Sequence, residues 1–468
     1  MKRSLVEQLG MADDVAAKCV ALQKDGKILV GGYTNAREGD RDLLVMRFNS
    51  NGSLDTTFAS NGILVHHDGT DDEAAAIAVQ PDGKIVVVGS YRSGSTGGIT
   101  VIRLNQHGIF DRSFDTNGLR YVSIGPVNIA TSMALQPDGK ILVAGYCNTN
   151  SNDFAIARLT PEGSLDNSFS TDGLHSINLG GSDRIAAVKV LPDGKILLAG
   201  TRLNASNDDF VFYRMNGDST PDYSFGGSAT AYRIHDLGAW DTASAMVLQP
   251  DGKFIITGHS NAGASSYNFV AARYHADGSS DTSFGTGGVV STDFGTGFTE
   301  NAYGSALQPD GRLLIAGYSS NHFAVARYNL FNRVDARVGT SSSATTGNNI
   351  YNSSGANQTL NVNVSKGGGK KTSYIRIQND GHETRSFTVK GTGGNSNFTV
   401  RYLSGSTNVT SSVVSGSFST GNLATGATAS LKMEITAKTD SANKTRTFNV
   451  TASSSGTTDT ILVKAKSK

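Results

Sequence analysis

Six copies of one short stretch constrain this chain more than anything else in it. Leu135–Gly145 (LQPDGKILVAG) recurs with small changes from Leu22, Val79, Val190, Leu248 and Leu307. The turn aspartates are Asp25, Asp82, Asp138, Asp193, Asp251 and Asp310, spaced 55 to 59 residues apart. A period of that length means a repeat architecture, in which each unit buries its apolar surface only against its neighbours. Proline sets φ for the second turn position, and Asp-Gly tolerates positive φ, so each copy reads as a hairpin turn. The apolar run after the turn reads as a strand buried on both faces.

Each turn is preceded by a strand rich in small residues, such as Ala74, Ala75, Ala76 and Ala78. Each buried run is followed by a third strand that ends in Arg, and then, after a turn like Gly52–Phe58, by a fourth, as in Ile63–Val65. Four short antiparallel strands per unit is the blade of a β-propeller. Ser4–Gly10 aligns with a fourth strand and has no third strand before it, while the last third strand, Phe323–Tyr328, has no fourth after it. These observations predict an all-β chain containing a six-bladed propeller over residues 1–335, closed by its N-terminal strand. The small-residue strands would line the axis. The PDG and Gly-Ser-Leu-Asp turns would share one face, and the variable loops would share the other, where binding usually sits.

Beyond residue 335 the pattern stops. Residues 336–358 read as a linker, whose stretch 340–358 is polar, rich in Ser, Asn and Gly, and has room for a first strand. Residues 359–468 hold short alternating runs, among them Leu360–Val364, Tyr374–Gln378, Phe398–Leu403 and Ser430–Ile435, which predict an Ig-like β-sandwich. The charge divides along the same line. Residues 1–335 carry 26 Lys and Arg against 35 Asp and Glu, whereas residues 336–468 carry 15 against 5. Cys19 and Cys147 lie in non-neighbouring repeats and are expected as free thiols. No apolar run reaches membrane-spanning length, and repeat sequence follows Met1-Lys2-Arg3 at once, so no signal peptide is read there.

Two constellations recur. Each third-strand Arg has an Asp eight residues on: Arg47/Asp55, Arg103/Asp111, Arg158/Asp166, Arg214/Asp222, Arg273/Asp281 and Arg327/Asp335. A residue pair copied six times is read as a structural ion pair that fixes the turn. The second set, Asp72, Asp183, Asp241 and Glu300, precedes the first strands, with Asn128 and Val15 at that position in the other repeats. These acids read either as turn caps or as an acidic channel mouth that attracts a cation or cationic ligand. With Trp240, the only tryptophan, they are the ligand-binding candidates. The nine histidines have no zinc spacing, and neither a Gly-x-Ser-x-Gly elbow nor a P-loop is present. No catalytic residue and no cofactor is called for, calcium being the one metal weighed.

The blade pattern in Asp153–Leu159, Gly163–Phe169 and Leu191–Gly200 resembles the delta-60 repeat family, a bacterial β-propeller repeat. The stretches Arg337–Thr340 and Ile377–Gly381 resemble an Ig-like module that follows such repeats. The resemblance implies an extracellular or cell-surface protein with no assigned activity. The expectation is therefore a non-catalytic recognition or scaffold protein, not an enzyme and a monomer. It would bind a surface polysaccharide or protein, with no nucleic acid and no membrane span. The alternative is a glycan-active hydrolase or lyase on the same scaffold.

Overall fold

The computed structural model describes residues 15–35, 40–148, 151–204, 207–227, 230–238, 240–261, 266–295, 299–320, 322–330, 334–341, 345–346, 355, 358–379, 384–424, 426–439, 441–454 and 457–468. The expected closing strand Ser4–Gly10 lies outside them.

Propeller-type repeats build five four-stranded antiparallel sheets and one three-stranded sheet among the described residues, and none of these sheets closes on itself. The first holds β1 (Val15–Leu22), β2 (Ile28–Thr34), β3 (Asp42–Phe48) and β4 (Ile63–His66), and the second β5 (Asp71–Val79), β6 (Ile85–Ser93), β7 (Thr96–Leu104) and β8 (Leu119–Val122). The third holds β9 (Val127–Leu135), β10 (Ile141–Asn148), β11 (Asn152–Leu159) and β12 (Leu174–Ile177), and the fourth β13 (Ser182–Val190), β14 (Ile196–Leu203), β15 (Asp208–Met215) and β16 (Tyr232–His235). The fifth holds β17 (Asp241–Leu248), β18 (Phe254–Ser260), β19 (Asn268–Tyr274) and β20 (Val289–Thr292), and the last β21 (Glu300–Leu307), β22 (Leu313–Ser319) and β23 (His322–Tyr328). The first strands β1, β5, β9, β13 and β17 pack against one another in succession, so they are the innermost.

Local chemistry explains the unit. In the third copy the Gly139 amide donates to Gln136 O at 3.0 Å, and the Lys140 amide donates to Asp138 Oδ1 at 3.2 Å. Gly139 sits at φ +86°, a left-handed conformation that glycine adopts without strain. The buried run then feeds two cores at once. Ile141 and Val143 of β10 enter the core shared with the second sheet, while Leu142 and Ala144 enter the core shared with the fourth. This is why the run is apolar without alternation. A register shift interrupts the pairing of β9 with β10, and a Cβ on Gly145 there would sit 1.9 Å from Ile129 O. The same close approach recurs at Gly32, Gly89, Gly200, Gly258 and Gly317, so the glycine that ends each run is a requirement of the bulge.

The chain divides into two compact units, one of Met1–Ala306 with Ile315–Ala326, the other of Leu307–Leu314 with Arg327–Lys468. In the second unit a six-stranded and a five-stranded sheet share one core that includes Val338, Ile375, Tyr402, Met433, Phe448 and Val463. The sequence-predicted strands overlap β26 (Thr359–Val364), β27 (Lys370–Asn379), β28 (Thr388–Gly391), β29 (Phe398–Ser404), β32 (Thr428–Ala437), β33 (Thr445–Ser454) and β34 (Thr457–Ser467). Three short elements, β30 (Thr407–Asn408), helix α1 (Thr410–Ser415) and β31 (Phe418–Ser419), lie between β29 and β32. The expected linker 336–358 is corrected in part. Strand β24 (Val334–Gly339) pairs with β27, and β25 (Thr345–Thr346) pairs with β24, because Val334, Ala336 and Val338 alternate into the core. Among the described residues no helix is long and apolar enough to cross a membrane.

Candidate functional site

The repeated arginines and aspartates meet in five of the six places. Nε to Oδ2 distances are 2.7 Å for Arg47/Asp55, 2.8 Å for Arg103/Asp111, 2.7 Å for Arg158/Asp166, 2.7 Å for Arg214/Asp222 and 2.9 Å for Arg273/Asp281. Three further contacts recur that sequence reasoning missed. The lysine after each of the first five turns reaches the same oxygen, at 3.0 Å for Lys27/Asp55 and 2.8 Å for Lys195/Asp222. A hydroxyl two residues past the aspartate donates to its other oxygen, at 2.6 Å for Thr57 and 2.7 Å for Ser168. The guanidinium also lies on the phenylalanine three past the aspartate, 4.6 Å from the Phe58 ring centroid and 4.8 Å from that of Phe169. Burial alone would raise the Asp55 carboxyl. The hydrogen bonds from Thr57, Lys27 and Arg47 instead hold it well below the usual carboxylate range.

The sixth pair is corrected. Arg327 is exposed, and the Asp335 carboxylate lies 2.9 Å from Arg337 Nε. Asp335 belongs to β24, whose partner is β27, so it sits in the second unit's sheet and not in a repeat turn.

Of the two readings of the second set, the open acidic mouth does not fit: Asp72, Asp183, Asp241 and Glu300 are fully buried. Three of them accept backbone amides of the preceding turn, Asp183 from Leu179 at 2.8 Å, Asp241 from Leu237 at 2.7 Å and Glu300 from Phe294 at 2.6 Å. Asn128 does the same with Ile124 and Gly125, both at 3.0 Å, which shows that the capping task needs no charge. Asp72 takes the Thr70 hydroxyl at 3.1 Å. Burial raises all four acids above their ordinary values. Asp72 is pushed up to about 8, with Asp68 and Asp42 adding to the effect, and Asp241 to about 6, with Asp236 and Asp209 adding. Trp240 is 43 % exposed in the turn before Asp241, and its amide donates to Asn261 Oδ1 at 2.9 Å. Cys19 and Cys147 are both free.

The open space lies beside these acids. A cavity of about 400 Å³ is lined by residues of first, second and third strands, including Tyr146, Arg184, Thr201, Asp208, Ser244 and Tyr303. Arg184 stands 5.6 Å from the Tyr146 ring centroid, and Tyr303 is 64 % exposed. A second cavity of about 220 Å³ is lined by Arg41, Asp71, Asp72, Tyr91, Arg92 and again Tyr146. Sequence reasoning named only Asp72 among these. The available signal was the tyrosine or arginine that the first strand, the second strand or the loop after it carries in some repeats and not others.

Sheets of this kind, with side chains gathered at the first strands, define a β-propeller repeat protein. Residues 23–58, 80–114, 136–169, 191–225, 249–284 and 308–330 match the sequence model described as "Domain of unknown function (DUF5122) beta-propeller". The repeat region from 23 to 330 thus belongs to a β-propeller repeat family of unknown function. No curated protein matches the chain. Among solved structures it is similar to the β-propeller domain of the Trilobed protease from Pyrococcus furiosus, at 9% identity and TM-score 0.38, covering 68% of this chain and 84% of that one. It is also similar to the polysaccharide lyase Uly1, at 12% identity and TM-score 0.35, covering 91% of each. An endo-arabinase from Bacteroides thetaiotaomicron has 11% identity and TM-score 0.32, with 55% of this chain and 92% of that one covered. The expectation that the chain is not an enzyme is corrected by this company, which is mostly carbohydrate-active enzymes. An enzymatic role is compatible with the architecture, and likeness at this level assigns no activity.

Proposed function

We propose that the repeats form a six-bladed ring that recognises a carbohydrate at the cell surface or outside the cell. The ligand enters the cavity framed by Tyr146, Arg184, Asp208 and Tyr303. In this reading the second unit is an Ig-like sandwich that acts as spacer or attachment. The single observation that carries the binding role is the lining of that cavity. Two tyrosine faces stand beside an arginine, an aspartate and the hydroxyls of Thr131, Ser182, Thr201, Thr242 and Ser244. Aromatic faces take the apolar side of a pyranose ring, and convergent hydroxyl, carboxylate and guanidinium groups take its hydroxyls. The identity of these residues changes from repeat to repeat, so one arc of the face is distinguished from the others. Ring closure is supported by complementary surfaces. Phe323 is fully exposed on the last sheet, and Val20 and Leu22 are 65 % and 72 % exposed on the first. Apolar surface of that kind calls for a partner.

A glycan array probed with the full chain, followed by calorimetry on the best ligand, tests the binding site. Tyr303→Ala and Arg184→Ala are each expected to weaken affinity at least tenfold without unfolding the protein. Absence of any glycan binding, or binding unchanged in both variants, overturns the reading.

A further inference from the structure

The second unit carries more base than acid, and its fold gathers that excess at one end of the two sheets. Eight of the ten lysines in residues 336–468 stand there, drawn from positions 366 to 468. At this end β26 leaves for β27, β32 leaves for β33, and β34 finishes. Backbone hydrogen bonds draw the segments together. The Lys366 amide donates to Lys468 O at 2.9 Å, the Ser467 amide to Lys444 O at 2.9 Å, and the Gly368 amide to Ala437 O at 3.0 Å, beside Lys438. Lys464 and Lys466 lie on the outer face of β34, alternating with the buried Val463 and Ala465. These six lysines are all exposed. Lys370 and Lys371, also exposed, open β27.

Little acid offsets them. Residues 336–468 hold five acids. Asp459 is fully buried, and Glu434 is shared by Lys370 at 3.1 Å and Arg401 at 3.7 Å. Asp380 and Glu383 come after the far end of β27 in sequence and Asp440 after Lys438, and all three lie outside the described residues. Of the eight lysines, Lys370 is the one with an ion pair among the described residues. Solubility is served by charges of both signs mixed over a surface, whereas a field of one sign draws in a partner of the other.

The neighbours of the lysines favour one kind of polyanion. Across the strands Lys464 faces Asn361 of β26 and Thr447 of β33, and Lys466 faces Asn363 and Thr445. These four residues are exposed as the lysines are, and their amides and hydroxyls match the hydroxyls of a sugar chain. A membrane asks for something else. Stable attachment there takes an apolar or acyl anchor besides charge, and among the described residues no large apolar side chain is exposed at this end.

We propose that this end of the second unit docks an anionic polysaccharide. Lys366, Lys444, Lys464 and Lys466 hold its acid groups, and the Asn and Thr neighbours hold its hydroxyls. Lysine suits the task, because a flexible stem lets the ammonium follow acids spaced along a chain, where the planar fork of arginine fixes one geometry. The site lies wholly in the second unit and stands whether or not the cavity of the repeats takes a carbohydrate.

Calorimetric titration of the full-length protein with polygalacturonate and with heparin tests this, dextran serving as the neutral chain. Binding to one or both acids and none to dextran is expected, weakening at least tenfold as salt rises from about 50 to about 200 mM. The triple variant Lys366→Glu/Lys444→Glu/Lys466→Glu should lose at least tenfold in affinity at the lower salt, and Lys366→Gln/Lys444→Gln/Lys466→Gln should lose less. Lys24→Glu/Arg112→Glu/Lys390→Glu, which changes the net charge equally at exposed positions elsewhere, should stay within about twofold of the parent. The proposal is overturned if neither acid binds at the lower salt, or if the last variant loses as much as the first. It is overturned equally if phosphatidylserine vesicles or duplex DNA bind tighter than both polysaccharides.

Discussion

Replacing Arg158 with alanine removes more than one bond. The residue is 4 % exposed, and its Nε donates to Asp166 Oδ2 at 2.7 Å. Its Nη2 donates to Ser168 Oγ at 2.9 Å, its Nη1 donates to Gly217 O in the next repeat, and its guanidinium rests on Phe169. Breaking a buried ion pair costs about 3–5 kcal/mol, mainly because the remaining charge is stranded. Here Asp166 is not stranded, since Lys140 Nζ stays 3.1 Å from its Oδ2. The loss for Arg158→Ala should therefore fall near the low end, about 3 kcal/mol. Asp166→Ala strands the more deeply buried partner, because Lys140 can turn to solvent and Arg158 cannot, and should cost about 5 kcal/mol. Urea unfolding followed by Trp240 fluorescence reports the repeat unit, since the only tryptophan lies there. The reasoning fails if Arg158→Ala costs under about 1 kcal/mol, or if it costs more than Asp166→Ala.

The repeated carboxylates also set the response to acid. Asp55, Asp111, Asp166, Asp222 and Asp281 titrate well below an unfolded aspartate near 4, so their stabilisation is complete above that value and is lost as pH falls through their folded values. Denaturant midpoints should hold between pH 5 and 7 as far as these groups go, then drop steeply below pH 4, and Asp166→Asn should soften that drop. Asp72 has the opposite sign. Its folded value of about 8 exceeds the unfolded one, so it costs stability progressively as pH rises from about 4 towards 8. Asp72→Asn, which copies Asn128, should remove that loss, giving a variant more stable than the parent at pH 8 and near parity at pH 4. A midpoint gap that does not widen with pH would refute this.

Much of the fold was legible because its signals are local. The turn Gln136–Gly139 and the run Ile141–Gly145 lie within ten residues, and the eight-residue offset from Arg158 to Asp166 stays within one hairpin. Asp335 kept the offset and broke the rest of the pattern. Arg337 stands where Thr57 or Ser168 stands, and Val338 where Phe58 or Phe169 stands, so the full motif would have excluded it. Lys140 was given no role in the sequence reading, although Lys27, Lys84, Lys195 and Lys253 repeat it. Asp42, Asp153 and Asp209, at the start of their third strands, were missed for a different reason. Asp209 meets Asp241 across a boundary between sheets 32 residues later in sequence, and no pattern inside one repeat reveals that meeting. The cavity was illegible for the same reason, since Tyr146 and Tyr303 come from distant repeats.

The bond from Arg158 to Gly217 O has counterparts in Arg47 to Gln106 O, Arg103 to Pro161 O and Arg214 to Ala276 O. Each arginine thus takes its last acceptor from a turn made roughly sixty residues afterwards, a direction that matters while the chain is being synthesised. A repeat leaving the ribosome has its own aspartate at hand, but one guanidinium nitrogen waits for the following turn to emerge. The growing end is always the weakest part, and each new repeat locks the one before it. A chain cut between repeats would therefore fray from its cut end wherever the cut falls, whatever the sequence of the repeat left last.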